Sequence, residues 1–135
     1  MLNTFSITWV GLLEIQNRKI LMTREKGKTL FQLPGGGQEE GESLQDTLNR
    51  EVLEEIGIGL INAKPFDEFI LPGRHENVLI KFIIYTADIV GTINKGEDIE
   101  EIRWVNSAYE SELIDIGNAA KLRLIPTLIK AGVID

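Results

Sequence analysis

The chain contains no cysteine and one histidine, His75, so neither disulfide bridges nor a structural zinc site can hold its fold together. Proline is scarce too, with four residues in 135. A chain of this length buries roughly two-thirds of the surface that it exposes when unfolded, and 43% of its residues are hydrophobic. The sequence therefore predicts a single domain, residues 1–135, with an ordinary apolar core.

Positive charge and long hydrophobic runs are also lacking. The formal net charge of −7 argues against a protein that binds nucleic-acid polymers through a basic surface. No stretch approaches the roughly 18 apolar residues of a membrane span, and residues 1–8 do not resemble a signal peptide. We therefore expect a cytoplasmic protein, monomeric or homodimeric, with neither nucleic acid nor membrane as a partner. A small phosphorylated substrate would also be repelled, unless metal ions neutralised its site.

The order of predicted strands and helices indicates an α/β fold. Residues rich in β-branched and aromatic side chains predict strands at 4–15, 20–23, 31–33, 58–61, 66–71, 78–89 and 99–105. A central helix lies between them, and a second helix spans residues 118–131, where Pro126 either kinks it or begins another helix. This order favours a mixed sheet covered by helices.

The central helix has clear end signals. Ser43 is a good N-cap, and Asp46 three residues later completes a capping-box pattern. Gly57 is suited to the C-terminal stop. Just before the helix, the Pro-Gly-Gly-Gly run at residues 34–37 is interpreted as a break after the strand at 31–33.

The last two turns of this helix break several local preferences together. At about 100° per residue, the apolar stripe is formed by Leu44, Leu48, Val52 and Ile56. Glu51 and Glu55 fall at the edge of this stripe, and Glu54 lies further round, one turn after Arg50. The helix dipole disfavours acids at this end, and Glu51 and Glu55 repel each other at i, i+4 spacing. A solvated charged face is the ordinary interpretation, but local rules broken together usually mark a functional site.

A divalent cation would resolve this conflict. Carboxylate oxygens suit Mg²⁺ or Mn²⁺, and Mg²⁺ typically takes one or two protein carboxylates together with water and substrate phosphates. Two such ions can activate a water and stabilise the leaving oxygen of a displacement at phosphorus. The neighbouring Gly35, Gly36 and Gly37 permit close backbone approach to such a site.

These residues together match a known sequence motif. Gly36, Glu42 and residues 50–58 match the Nudix box at every defined position. The likeness extends to residues 33–36 ahead of the box and to residues 101–105 near the end. The sequence is therefore identified as a member of the Nudix (MutT-like) hydrolase superfamily.

The resemblance implies a fold and a set of metal ligands. The expected fold is a Nudix α/β/α sandwich with a mixed sheet, in which the box forms a loop, a helix and a second loop. By position, the ligands of Mg²⁺ or Mn²⁺ would be Glu51, Glu54, Glu55 and the Gly36 carbonyl, with Glu42 as a further candidate. Arg50 resembles the family arginine that orients these carboxylates.

The resemblance also implies a reaction, in which water attacks a phosphorus of a nucleoside diphosphate linked to another group. The general base differs between family members. It is either a box glutamate, here Glu54, or an acid of a later loop, here Glu97, Glu100 or Glu101. For the later acids, a solvated turn before a strand is an equally good interpretation.

Candidate substrate contacts outside the box are less distinctive. Arg24 and Lys28 are suited to bind phosphates, together with the glycines at 35–37, but both are also typical of an ordinary surface. A loop with Arg74, His75 and Asn77 is a further candidate, although an exposed turn is the simpler interpretation. The aromatic residues either stack on a base or, as is more usual within strands, belong to the core: Trp9, Phe31, Tyr85 and Trp104.

The minimal length favours a nucleoside di- or triphosphate as substrate, including oxidised or noncanonical ones. ADP-ribose or a nucleotide sugar is the alternative, and relatives with that activity often carry a proline near the position of Pro72. A dinucleoside polyphosphate specialist would often carry a tyrosine where His75 and Glu76 stand. A third hypothesis, a Nudix-fold binding module without turnover, is opposed by the complete set of box acids.

Overall fold

The computed structural model describes residues 5–73 and 78–135, so the candidate loop residues Arg74, His75 and Asn77 lie outside it. The strands within the described ranges are β1 Phe5–Leu12, β2 Ile15–Gln16, β3 Lys19–Glu25, β4 Phe31–Gln32, β5 Gly35–Gly37, β6 Gly59–Pro72, β7 Leu79–Val90 and β8 Ile99–Val105. The α-helices there are α1 Leu44–Ile56 and α2 Ile125–Lys130. None of the helices in these ranges is long and apolar enough to cross a membrane.

The strands form two sheets, and the first is mixed, as predicted. Its order is β5-β1-β7-β6, with β1 parallel to β7 and antiparallel to β5, and with β6 antiparallel to β7. In the second sheet β3 pairs antiparallel with β2, β4 and β8. One apolar cluster joins α1 to both sheets through Leu21, Val52 and Ile83, and another packs the C-terminal helices through Met22 and Leu124. The predicted α/β/α sandwich is confirmed.

The interpretation of residues 34–37 as a break in regular structure is wrong for the glycines. Gly35, Gly36 and Gly37 form β5, which pairs antiparallel with Gly11, Val10 and Trp9 of β1. A Cβ on Gly35 would overlap the Val10 carbonyl, so the strands approach this closely only because position 35 has no side chain. Weak strand propensity is thus overridden by tertiary packing.

The strand boundaries differ from the prediction at two other places. The predicted strand at 4–15 is divided, because the chain leaves the first sheet after Leu12 and enters the second as β2. The predicted strands at 58–61 and 66–71 are one long strand, β6. Its pairing with β7 shifts register between Ile61 and Lys64, beside Asn62 in a left-handed conformation with φ of 57°. Such an irregularity interrupts the side-chain alternation from which strands are predicted.

The C-terminal helix predicted at 118–131 consists of two segments. A π-helical segment, Ala119–Leu124, is followed directly by α2, which begins at Ile125 with Pro126 in its first turn. Of the two alternatives for Pro126, the structure supports the start of a second helix. A proline fits there because the first turn of a helix needs no backbone donor at that position.

The ends of α1 agree with the prediction. The Ser43 side chain accepts from the Asp46 amide and Asp46 accepts from the Ser43 amide, which forms the capping box. Gly57 ends the helix with a left-handed φ of 68°. Beyond it, the amides of Asn94 and Gly96 donate to the carbonyls of Ile56 and Glu55, each at 2.9 Å. The loop before β8 therefore supplies donors for carbonyls at the end of the helix, which have no partner within the helix itself.

An ion pair fixes the C-terminal helices on β6 and gives a pH-dependent prediction. Arg123 donates to both carboxylate oxygens of Asp67 at 2.9 and 3.0 Å, which holds the pKa of Asp67 below its usual range. A carboxyl group with a lowered pKa stabilises the fold at higher pH and loses that contribution as the pH falls through its folded-state pKa. Asp67→Asn should therefore lower the melting temperature at pH 6 by a few degrees and progressively less towards pH 3. Thermal unfolding at each pH, with the exposed Glu40→Gln as control, tests this. A deficit that stays constant with pH would contradict it.

Candidate functional site

The glutamates at the end of α1 differ in exposure. The Glu51 side chain is 17% exposed and lies towards the protein body, whereas the Glu54 side chain is 60% exposed. Glu55 is partly buried and is reached from two strands. This arrangement agrees with the helical geometry that places Glu51 and Glu55 beside the apolar stripe.

Glu55 is held by groups from the two sheets. Its Oε1 accepts from the Thr23 hydroxyl on β3 at 3.3 Å and from the Gly35 amide on β5 at 3.4 Å. Burial, followed by the hydrogen bond and charge of the neighbouring Glu51, raises the pKa of Glu55 to about 9. Without a cation, Glu55 therefore keeps its proton at neutral pH.

The absence of a side chain at Gly36 makes room for the Glu51 carboxylate. A Cβ at position 36 would lie 2.5 Å from both Cδ and Oε2 of Glu51. That separation is shorter than any ordinary van der Waals contact, so only glycine allows the strand and the carboxylate to approach this closely. The box glycine and the first box glutamate of the helix thus belong to one site.

Arg50 connects the acids of this site. Its Nε and Nη2 donate to the two oxygens of Glu42 at 2.6 and 3.0 Å, while Nη1 donates to Glu51 at 2.7 Å. The Glu54 carboxylate lies 3.8 Å from Nη1, and the Gly37 carbonyl accepts from Nη2 at 3.3 Å. One guanidinium group therefore joins the loop acid Glu42 to the helix acid Glu51.

Glu42 is strongly stabilised in its ionised form. The Arg50 hydrogen bond, together with the Glu39 amide and the Thr47 hydroxyl, lowers the pKa of Glu42 to about 2. Glu42 and Glu51 in turn raise the pKa of Arg50 above its ordinary value. Glu42 therefore carries a full negative charge at neutral pH, and its oxygens are occupied by protein donors.

The three later acids occupy different positions. Glu97 is exposed and directly follows Gly96, whose amide binds the last turn of α1. Glu100 is exposed on β8. Glu101 is bound by Arg103 at 2.7 Å and by Arg24 at 3.3 Å, which lowers its pKa. Glu97 thus lies next to a residue, Gly96, that binds the glutamate end of the helix.

The two basic candidates on and after β3 are separated. Lys28 lines a groove together with Thr23, Gly35 and Glu55, and its ammonium pairs with Glu25 at 2.9 Å. Arg24 faces a different groove, where it binds Glu101 and lies 5.7 Å from the centre of the Phe31 ring. Adjacent residues of a strand point to opposite faces, so Thr23 and Arg24 cannot serve the same groove.

An apolar cavity of about 90 Å³ adjoins the groove that contains Glu55. The two spaces share Leu30, Gln32 and Leu33 as a common wall. Trp9, Ile80 and Phe82 form apolar walls of the cavity, and its polar lining includes the side chains of Gln32 and Asn118. The interpretation of Phe31 and Tyr85 as core residues agrees with their burial, and Trp104 packs against the α1 cluster.

The donor set at this end of α1 fits a divalent cation. Two facing carboxylates, Glu51 and Glu55, lie beside a strand of glycines, and their mutual repulsion would be relieved by a cation. Within the described residues, no three acidic or histidine side chains are spaced to enclose a metal ion by themselves. This is compatible with Mg²⁺, which retains waters and binds substrate phosphates.

Three contacts of the site were not anticipated. The hydroxyls of Thr23 and Thr47 bind Glu55 and Glu42, and Gly96 contacts the helix end so closely that a Cβ there would overlap the Glu54 carbonyl. At about 100° per residue Thr47 lies outside the apolar stripe, about 60° from Leu44, so the pattern does not predict its burial. Thr23 and Gly96 carry no local signal, because their partners are distant in sequence.

The fold and site together define a class of protein: an α/β/α sandwich with a glutamate-rich helix behind a strand of glycines. The chain belongs to the Nudix family, because the family model of the NUDIX domain matches residues 7–126.

Individual relatives extend this comparison. The chain is 29% identical over 115 residues to an ADP-ribose pyrophosphatase of Methanocaldococcus jannaschii, a match that covers 83% of this chain and 63% of that protein. Among solved structures, MutT from Aliivibrio salmonicida and Vibrio cholerae superimposes with a TM-score of 0.69 at 22% identity, covering 93% of this chain and 98% of that one. A bifunctional NMN adenylyltransferase/ADP ribose pyrophosphatase from Francisella tularensis gives 0.66 at 23% identity, covering 96% and 42%. At these identities the structural likeness concerns the fold.

Proposed function

We propose that the protein is a divalent-metal-dependent pyrophosphohydrolase of small nucleoside diphosphate-linked molecules. The observation that carries this proposal is the convergence of Glu51 and Glu55 beside Gly36, with Arg50 aligning the acids. Membership of the Nudix family supports it, since Nudix hydrolases generally use divalent metals. An acidic protein of net charge −7 would repel a phosphorylated substrate unless cations intervened.

In this proposal the exposure of each box residue decides on which side of the cation it binds. Glu51, Glu55 and the Gly36 carbonyl would bind Mg²⁺ or Mn²⁺ on the inner side, with the exposed Glu54 as the outer ligand. When bound, the cation would lower the pKa of a coordinated water and offset charge on the phosphoryl oxygens. Arg50 holds Glu51 in register, and Glu42 holds Arg50.

The reaction requires one proton acceptor near the attacking water. The water oxygen forms a bond to phosphorus, the bridging oxygen leaves with the bonding electrons, and the water proton passes to a carboxylate. Glu54 is the first candidate for this base because it is the most exposed of the three glutamates on α1. Glu97 is the second, because Gly96 ties its backbone to the same helix end.

The adjoining cavity supports a nucleotide as the substrate. Phosphates placed against Gly35, Lys28 and Glu55, with a cation between, would direct the attached nucleoside along the shared wall towards Trp9 and Asn118. Aromatic faces with a few amide groups suit a nucleobase. A nucleoside di- or triphosphate, including noncanonical ones, is therefore the first candidate substrate.

ADP-ribose is the second candidate, on a different observation. The relative from Methanocaldococcus jannaschii is an ADP-ribose pyrophosphatase. The same cavity would then take the adenine base, and the second sugar would extend beyond the cleaved bond.

A substrate panel tests both candidates. Nucleoside di- and triphosphates, ADP-ribose, nucleotide sugars and dinucleoside polyphosphates would be incubated with Mg²⁺ or Mn²⁺, and the released phosphate, pyrophosphate and nucleoside monophosphate measured. We expect turnover that requires the metal, is lost on chelation and is strongest for one of the two candidate classes. Glu54→Gln and Glu97→Gln, compared across pH, identify the base by which variant abolishes the rise in rate with pH. Absence of turnover from a folded, metal-binding protein would overturn the proposal in favour of a nucleotide-binding module.

A further inference from the structure

Thr47 is a fully buried polar residue in the first half of α1. Its side chain is 0% exposed, and it is buried together with Leu48, Val52 and Ile56 of the same helix. The hydroxyl Oγ1 contacts Glu42 Oε1 at 2.9 Å and the Ser43 carbonyl one turn earlier at 3.2 Å. Because a hydroxyl has a single proton to donate, the shorter contact favours Glu42 as its principal acceptor. Position 47 is not one of the defined positions of the Nudix box.

The Thr47 hydroxyl is one of three donors that fix the same oxygen. Glu42 Oε1 also accepts from the Glu39 amide at 3.0 Å and from Arg50 Nη2 at 3.0 Å, while Oε2 accepts from Arg50 Nε at 2.6 Å. The Glu39 amide belongs to the loop and the Thr47 hydroxyl to the helix. Together these two donors fix the orientation of the Glu42 carboxylate. That orientation in turn decides where the Arg50 guanidinium group lies.

The position of the Arg50 guanidinium group affects the metal-binding end of the helix through one further hydrogen bond. With two nitrogens committed to Glu42, the remaining Arg50 nitrogen donates to Glu51 at 2.7 Å. A rotation of the Glu42 carboxylate would turn the guanidinium fork, because bidentate pairing is planar. Glu51 would then lose its alignment beside Gly36.

We propose that Thr47 is a positioning residue for the metal-binding carboxylates, acting through Glu42 and Arg50 on Glu51. Its effect on catalysis rests on the proposed function, whereas its effect on the geometry of Arg50 does not. Partners of metal ligands typically change affinity by about 10- to 100-fold when removed. Thr47 acts from further away, so a smaller change of about 3- to 10-fold is expected.

Three substitutions separate the hydroxyl from the packing of the side chain. Thr47→Val keeps the shape and removes the donor, Thr47→Ser keeps the donor and removes a methyl, and Thr47→Ala removes both. The first measurement is the affinity for Mn²⁺ alone, by calorimetry without nucleotide, with thermal unfolding as a check on folding. We expect weaker binding in the valine and alanine variants, and binding within twofold of wild type in the serine variant.

A purely structural role would exchange the results for the valine and serine variants. If Thr47 only filled space, valine would bind Mn²⁺ like wild type, and the serine and alanine variants would share the defect. That ranking would overturn the proposal.

The second measurement follows the Arg50 Nε proton in the metal-free protein by NMR. In wild type this proton is bound by Glu42 and should exchange slowly with water, and it should exchange faster in the valine variant but not in the serine variant. Unchanged exchange in the valine variant would overturn the proposal. If wild type hydrolysed nothing in the panel, or failed to bind Mn²⁺, the proposed function would fall, and Arg50 exchange alone would decide the role of Thr47.

Discussion

Replacing Glu55 with glutamine should lower kcat for metal-dependent hydrolysis by about 10³-fold, since a bound cation contributes several kcal/mol of charge stabilisation at phosphorus. Glutamine has the same shape and its oxygen can still accept from Thr23 and Gly35, so the surroundings of residue 55 are retained. What is lost is the carboxylate charge that Glu55 would offer to a bound cation. The melting temperature of the metal-free protein should change little, because the pKa of about 9 already keeps Glu55 neutral at pH 7 and glutamine is neutral as well.

The measurement for Glu55→Gln combines kinetics with metal binding. Initial rates on the best substrate of the panel would be recorded over a range of Mg²⁺ and Mn²⁺ concentrations, with Mn²⁺ affinity measured separately. Glu40→Gln is the matched control, since Glu40 is an exposed acid of the loop before the helix. The assignment of Glu55 as a ligand would be wrong if the variant kept more than a tenth of wild-type activity at equal metal concentrations.

The second large effect is expected from Gly36→Ala. The added methyl group would lie 2.5 Å from the Glu51 carboxylate, which is the movable end of a side chain and can swing away. The fold should therefore survive, while Glu51 is driven out of its place beside Arg50. We expect kcat/KM to fall by about 10²-fold, the upper range for disturbing the surroundings of a metal site.

Other glycines provide the comparisons for Gly36→Ala. At Gly59, which begins β6, a Cβ would meet nothing closer than Val90 at 3.9 Å, so Gly59→Ala should match wild type in rate and stability. At Gly35 the added atom would overlap backbone, so Gly35→Ala should fail by unfolding rather than by loss of alignment. The argument from Glu51 would be contradicted if Gly36→Ala were folded and fully active, or if it were inactive only because it unfolds.

Local signals explain which parts of the fold could be predicted from sequence. The box helix was placed correctly because Ser43, Asp46 and Gly57 act within a few residues of the backbone that they cap. The strand at β8 was predicted with its observed bounds, Ile99–Val105. By contrast, the glycines of β5 form a strand only because β1 lies beside them, and a single-residue preference cannot contain that information.

The same distinction applies to the candidate site. The spacing of Glu51, Glu54 and Glu55 around a helix was readable, and the structure shows the exposure pattern that the spacing predicts. The contact of Glu55 with Thr23 was not readable, because it joins the helix to a strand far away in the chain. Nor could the sequence distinguish Lys28, which enters the groove beside Glu55, from Arg24, which faces the other side of the sheet.

The contact between Gly96 and the end of α1 fixes the position of the loop before β8 without restricting its neighbouring side chains. At position 96 every side chain is excluded, because the backbone lies directly on the Glu54 carbonyl. The flanking residues, Lys95 and Glu97, are exposed and free of that restriction. Substitutions that change the charge of either neighbour can therefore be made without disturbing the contact between Gly96 and the helix. The charge of this loop is therefore adjustable while its distance from the end of the helix stays constant.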